Sequence, residues 1–263
     1  MPSCAHLRRE HSLGWSLPRS RLSDQGRLTR LFVTMPVTMK LLEVIVTSVD
    51  EARAAEEGGA DRLELLRDLD VEGLTPVLAL VEDVLASVTI PVRTMVRESP
   101  NFSIRDDSEL RQLRRHAEEF SKLPVDGLVL GFIRNGGIDT CALELVLGSG
   151  GGRRATFHRA IESAADPREA IGQLTRYAQI DRVLISGGTG PWETRIAFLE
   201  GLQQTAGTRL RILTGGGVDE EALALLATSE LLQEFHVGSA ARDAARRVSS
   251  ARVARLRKIL DSR

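Results

Sequence analysis

Eight short β-rich runs, each followed by a stretch of helical character, constrain this chain more than any other feature. They are LLEVIV (41–46), RLELL (62–66), VRTMVR (92–97), GLVLGFI (127–133), RATFHRA (154–160), RVLISGG (182–188), LRILTGGG (210–217) and EFHVGS (234–239). Between them lie SVDEARAAEEGG, PVLALVEDVLASV, DSELRQLRRHAEEF, DPREAIGQLTRYA and TRIAFLEGLQQTA, several of which begin with Ser, Thr or Asp and early carboxylates, as helix starts do. The fourth helical stretch, around CALELVLGSGGG, is short and ends in glycines. Strands that alternate with helices make parallel βαβ units. Eight units in about 225 residues predict an α/β chain folded as one slightly small (β/α)8 TIM barrel.

Side chains alternate along a strand, so one set faces the helices and the other the barrel interior. Leu42/Val44/Val46, Leu63/Leu65, Val92/Thr94/Val96, Phe157, Val183/Ile185, Leu210/Ile212 and Phe235/Val237 form a nearly all-apolar set, expected to face the helices. The other set holds Glu43, Arg62, Glu64, Arg93, Arg97, His158, Arg182, Ser186, Arg211, Glu234 and His236. Arg62, Arg93, Arg182, Arg211 and Glu234 stand at strand beginnings, where ion pairs and solvent satisfy structural charges. Glu43, Glu64, Arg97, His158, Ser186 and His236 stand in the middle or at carboxyl ends, where this architecture builds its sites. A buried charge must pair, bind something or sit in a wet pocket. Taken singly, each of these six reads as well as a strand-holding group as a functional one, and their convergence favours a site. By phase His158 points inward, while Arg159 points away or bends over the rim. Glu162 reads as a cap or loop residue, His116 as a solvated side chain, and Met95 as core packing.

Composition narrows the function classes. Lys and Arg number 35 against 36 Asp and Glu, a net charge of −1, so no overall field gathers nucleic acid or an anionic membrane surface. No apolar run approaches the ~20 residues that span a bilayer. The two cysteines, Cys4 and Cys141, form no CxxC pattern, which argues against a disulfide framework or a thiolate zinc site and fits a reducing cytoplasm. Residues 1–38 interleave Arg8, Arg9, Arg19, Arg21, Arg27 and Arg30 with Ser, Gly and His, without apolar periodicity. They read as a disordered basic extension ahead of a barrel over 39–263. Its Arg- and Ser-rich, acid-poor composition resembles a transit leader only weakly, and a start near Met35 or Met39, which leaves the extension without a role, is at least as good a reading.

The last two runs end in TGGGV (214–218) and VGSAA (237–241). Loops after the seventh and eighth strands of this architecture commonly cradle a phosphate. Gly215, Gly216, Gly217, Gly238 and Ser239 are therefore the expected anion cradle, with ISGGTG (185–190) able to add donors.

The ordered motifs MKLLEV, GGADRLEL, GLTP, ATFHRA, ADP, DRVLISGG, GGGV and EFHVGSA, from Met39 to about Arg242, resemble the CutC family, named for copper homeostasis. That resemblance implies a TIM barrel, cytoplasmic residence, self-association into a homo-oligomer and copper-ion binding. Glu43, Glu64, Arg97, His158, Arg159, Ser186, the 215–217 glycines and His236 stand where the family motifs carry the same residues. The family's EVC and ELC become Glu43-Val44-Ile45 and Glu64-Leu65-Leu66 here, which removes the soft thiolates that Cu(I) prefers. His158 and His236, with Glu43 and Glu64, remain as metal-ligand candidates. Three readings follow: a copper-homeostasis protein that binds a metal ion; an enzyme acting on a small phosphorylated or otherwise anionic metabolite, with Glu43, Glu64, Arg97, His158, Arg159 and Ser186 as its working residues; and a barrel kept as a scaffold. The reaction and substrate of the second stay open.

Overall fold

The computed structural model describes residues 39–262; the basic extension expected over 1–38 lies outside them. Eight strands form a closed parallel barrel in chain order: β1 Leu41–Val46, β2 Arg62–Leu65, β3 Val92–Met95, β4 Gly127–Leu130, β5 Arg154–Phe157, β6 Ile180–Ile185, β7 Arg211–Thr214 and β8 Glu234–Val237, which pairs back with β1. Helices α1 Val49–Glu57, α2 Leu78–Ser87, α3 Asp107–Ser121, α4 Thr140–Ser149, α5 Pro167–Leu174, α6 Trp192–Ala206, α7 Glu220–Leu226 and α8 Ser250–Asp261 follow the strands in turn. The fold is the expected TIM barrel. Side chains start most of the helices: Ser48, Asp106, Asp139, Asp166 and Asp219 accept backbone N–H bonds at the first turns of α1, α3, α4, α5 and α7. Helix α6 instead begins after Pro191, two residues before the expected start. No helix of the described residues is long and apolar enough to cross a membrane.

The strands stop earlier than the β-rich runs suggest. GLVLGFI was expected to stay extended to 133, but β4 ends at Leu130, and Ile133–Arg134 turns back on Gly137–Ile138 as a small antiparallel hairpin. Asn135 and Gly136 between them have φ of 53° and 75°, the left-handed pair that a two-residue hairpin needs. RATFHRA leaves the sheet after Phe157 because His158 caps a 3-10 turn over Arg159–Ser163. Each such departure frees a carboxyl-end residue to face the mouth of the barrel.

The apolar phase packs against the helices as expected: Leu42, Val44, Val46, Leu63, Leu65 and Phe157 are fully buried in one continuous core. Burying each such side chain stabilises the fold by about 1.5–3 kcal/mol.

The opposite phase fills the lower barrel with charge. Arg62 donates to Glu43 through Nε and to Glu234 at 3.2 Å. Arg182 donates to Glu234 at 2.5 and 3.0 Å and to Asp181 at 2.6 Å. Arg93, 0% exposed, reaches Asp181 at 2.7 and 2.8 Å, Asp126 at 2.8 Å and Thr156 at 2.9 Å. Burial alone would ease a proton off Arg93, but Asp181 and Asp126 outweigh it and hold the guanidinium charged. The strand-start residues Arg62, Arg93, Arg182 and Glu234 thus satisfy one another. Arg211 does not join them: it is exposed and has no ion pair among the described residues.

Removing one member of such a network strands its partners. Arg93→Met is expected to destabilise the protein by about 3–5 kcal/mol, read as a lower urea midpoint at unchanged m-value. A loss under about 1 kcal/mol would show that these ion pairs do not hold the barrel.

Candidate functional site

At the carboxyl ends of the strands a cavity of about 470 Å³ opens, within the range of small-molecule sites. Glu64 and His236 lie at its inner end. Ile45, Leu66 and Met95 stand two residues beyond Glu43, Glu64 and Arg93 on their strands, so they share the inward face and form the apolar wall. Leu66 and Met95 pack there with Val129, and Ile45 against them. Arg97, His158, Arg159 and Arg242 complete the lining on its polar side.

Three of the expected residues form one array. His236 Nδ1 lies 2.8 Å from Glu43 Oε1, and its Nε2 3.4 Å from Glu64 Oε2. All three side chains are buried. For Glu43, burial favours the neutral acid, yet Arg62 and His236 outweigh it and keep the carboxylate ionised far below the usual range. For Glu64, burial dominates and Glu43's charge adds to it, so its carboxyl is pushed up to about 7 against the attraction of His236. Burial would favour neutral His236, but Glu64 and Glu43 raise it above its ordinary value. The array sets the His236 ring between two carboxyl groups, the inner one anchored to Arg62. Glu64 is the member that faces the cavity and titrates near neutrality, which is what a proton-exchanging group requires.

His158 stands apart from that array. Its Nδ1 accepts the Ala160 N–H at 3.2 Å, which puts the ring proton on Nε2. Burial, then the charges of Arg97 and Arg159, depress its pKa to about 3, so the ring stays neutral. Its Nε2 has no partner among the described residues. Gly131 makes the space for this ring: a Cβ there would come within 2.7 Å of His158 Nδ1. His158 is therefore a neutral hydrogen-bond donor, and it lies outside the metal-capable group of Glu43, Glu64 and His236, whose ligand atoms are within 4.8 Å of one another.

Arg97 lies just beyond the end of β3. Its Nη1 donates to the carbonyls of Val71, Glu72 and Gly73 at 3.3, 3.1 and 3.2 Å, its Nη2 to the Pro100 carbonyl, and the guanidinium sits 4.7 Å over the Phe102 ring. Among the described residues no carboxylate pairs with it, and its Nε has no partner. Arg159 bends over the rim to Glu162 at 2.7 Å and Glu72 at 2.8 Å. Glu162 also accepts the Ser186 N–H at 2.6 Å, so it braces the strand ends, as its loop reading expected. Ser186 faces a neighbouring hollow of about 650 Å³ that shares Arg159, Gly216 and Gly217 with the first.

The glycine cradle divides. Gly216, Gly217, Gly238 and Ser239 line the cavity, but the Gly215 N–H is committed to the Ile185 carbonyl at 3.1 Å and has nothing left for a ligand. Gly216, at φ 80°, must be glycine, since a Cβ would stand 2.6 Å from that of Ser186. His116 is not simply solvated: it sits 3.4 Å from Glu98 and 3.3 Å from Glu119, stacked on Phe120. Reasoning from strand phase missed Arg242, Glu72 and Phe102, because they stand in loops that carry no alternation. Arg242, buried against Glu51 and donating to the Ile45 carbonyl at 3.3 Å, directly follows the GSAA motif, which was the one available pointer.

The comparisons agree with this geometry. The model of the CutC family matches residues 40–241. A CutC family protein of Xanthomonas axonopodis pv. citri is 33% identical over 199 residues, covering 75% of this chain and 82% of that one. One of Bacteroides fragilis is 32% identical over 200 residues, covering 74% and 78%. The crystal structure of CutC from Streptococcus agalactiae superposes with a TM-score of 0.70 at 28% identity, covering 75% of this chain and 98% of that one. With a closed eight-stranded barrel, a family model spanning most of that barrel and relatives of this likeness, the chain belongs to the CutC family.

Proposed function

We propose that the protein serves copper homeostasis, the role carried in the name of the Streptococcus agalactiae relative, and that its working site is the cavity above Glu64 and His236. Cytoplasmic residence and self-association come from the same reading, and the free, exposed Cys141 is at home in a reducing setting.

The residues present do not fit a resident Cu(I) ion. Two carboxylates and one imidazole are hard to borderline donors, suited to Zn or Mn. Met95 alone among the lining residues carries sulfur, and Ile45 and Leu66 wall the cavity with hydrocarbon. A metal at the array would also have to displace His236 from its contacts with Glu43 and Glu64 and compete with Arg62 for Glu43. No step is therefore assigned to copper.

A second reading is favoured by one observation. His158 Nε2, Arg97 Nε and Arg242 Nε, three buried N–H donors on residues that line the cavity, have no partner among the described residues. Unmade bonds of this kind are costly, and an acceptor-rich ligand relieves them. The protein's part in homeostasis is then to bind a small anionic ligand, with Arg97 supplying charge, His158 a neutral N–H, and Glu64, backed by His236 and Glu43, exchanging a proton with it.

Dialysis against buffered Cu(I) and Zn(II) under reducing conditions, followed by elemental analysis, is expected to leave copper far below one per chain. Stoichiometric copper that disappears in His236→Ala would restore a resident copper site. Inorganic phosphate and small carboxylates are expected to raise the thermal midpoint, and Arg97→Gln to remove most of that protection; indifference to all of them would sink the anionic ligand.

Glu64 also has a signature in pH. Its folded pKa of about 7 lies above the ordinary 4.5, so between those values the folded protein keeps a proton that the unfolded chain has lost. Its contribution to stability therefore falls as pH rises through that window, and the raised His236 acts in the same direction. Glu64→Gln, which mimics the protonated acid, is expected to flatten the decline in thermal midpoint between about pH 5 and about pH 8 and to exceed wild type at the alkaline end. An unchanged slope would mean that another group titrates.

A further inference from the structure

The opposite, amino-terminal end of the barrel carries a charge pattern that neither the fold nor the cavity at the carboxyl face explains. A hollow of about 380 Å³ there is lined by Arg154, Ala178, Asp181, Arg182, Arg209 and Arg211. Three of the arginines come from neighbouring strands: Arg154 on β5, Arg182 on β6 and Arg211 on β7, with Arg182 and Arg211 directly paired in register. Arg209 reaches in from just before β7.

Two of the four have structural work. Arg182 is neutralised by Glu234 and Asp181. Arg209 donates to the carbonyls of Tyr177 at 2.9 Å, Ile180 at 3.2 Å and Leu174 at 3.1 Å, closing the carboxyl end of α5, and has no carboxylate partner. Arg154 and Arg211 are exposed and, among the described residues, have no hydrogen-bond or ion-pair partner. The one acid in the hollow, Asp181, is already shared between Arg93 and Arg182. Three guanidinium charges are left without a counter-charge on adjacent strand ends, where like charges cost stability. This end of a barrel ordinarily serves stability, so an uncompensated cluster here works against its usual role.

We propose that this hollow is a second binding site, for a compact polyanion carrying two or more phosphate groups. Arg209 and Arg182 are held in place by the protein before any ligand arrives. Arg154 and Arg211 are free to close on its oxygens with the paired N–H geometry in which guanidinium recognises phosphate. The site lies at the far end of the bore from Glu64 and is separated from it by the Arg62, Arg93 and Glu43 layer, so it stands or falls apart from the cavity above.

Inorganic pyrophosphate is the probe, titrated calorimetrically into the full chain at about 0.15 M salt, where weak surface attraction is screened. Wild type is expected to bind it, and R154Q/R211Q to keep or raise its thermal midpoint, since repulsion is relieved. Because the carboxyl-face cavity is itself proposed to take small anions through Arg97, affinities are compared in an Arg97→Gln background, where adding R154Q/R211Q is expected to weaken pyrophosphate at least tenfold. Should the double variant fail to fold, the single variants Arg154→Gln and Arg211→Gln must each weaken binding. Wild type that ignores pyrophosphate, binding that survives R154Q/R211Q in the Arg97→Gln background, or sulfate binding there as tightly as pyrophosphate would each overturn the proposal.

Discussion

The buried ion network along the barrel bore is the constraint on which the rest of the structure depends. Arg93, fully enclosed, joins Asp126 beside β4, Thr156 of β5 and Asp181 of β6. Arg62 joins β1 to β8 through Glu43 and Glu234, and Arg182 closes the ring between them. Charges this deep are tolerated only when each finds its opposite, so strand register is fixed by electrostatics as much as by apolar packing. A slip of one residue would put Leu63 and Leu65 in the bore and Arg62 and Glu64 among the helices.

The same network sets the chemistry above it. Glu43 belongs to both levels: Arg62 keeps it ionised, and it in turn orients His236 and favours its protonated form. His236 then faces Glu64, whose burial pushes its own titration to about 7. A structural ion pair below thus becomes a poised acid above, through a single shared carboxylate. Where the family's cysteines would stand, Ile45 and Leu66 make a dry wall beside this acid, which strengthens its electrostatics and withholds soft ligands from copper.

Two loops decide how the cavity is closed. The segment after β2 is held by Arg97 through three consecutive carbonyls and is tied across the mouth by Glu72 to Arg159 and by Asp70 to Arg246. Asp68 and Glu72 carry positive φ there, an unfavourable conformation for residues with a Cβ, which these contacts maintain. The polar lining of the site is therefore also what shapes its entrance.

The alternation of eight β-rich and helical stretches determined the barrel, and the two phases of each strand determined which residues face the core and which the bore, because side-chain direction along a strand is a local property. That is why Glu43, Glu64, His158 and His236 were legible before any coordinates. Pairing was not legible. Nothing local distinguishes Arg93, locked among three partners, from Arg211, which has none, or says that His158 sits apart from the Glu43–His236–Glu64 array. Nor does a glycine triplet reveal that Gly215 has already given its N–H to Ile185. Distances between residues remote in sequence exist only once the barrel closes, and with them the charge states of every buried group. The tertiary structure alone decided which polar residues neutralise one another and which are left to meet a ligand.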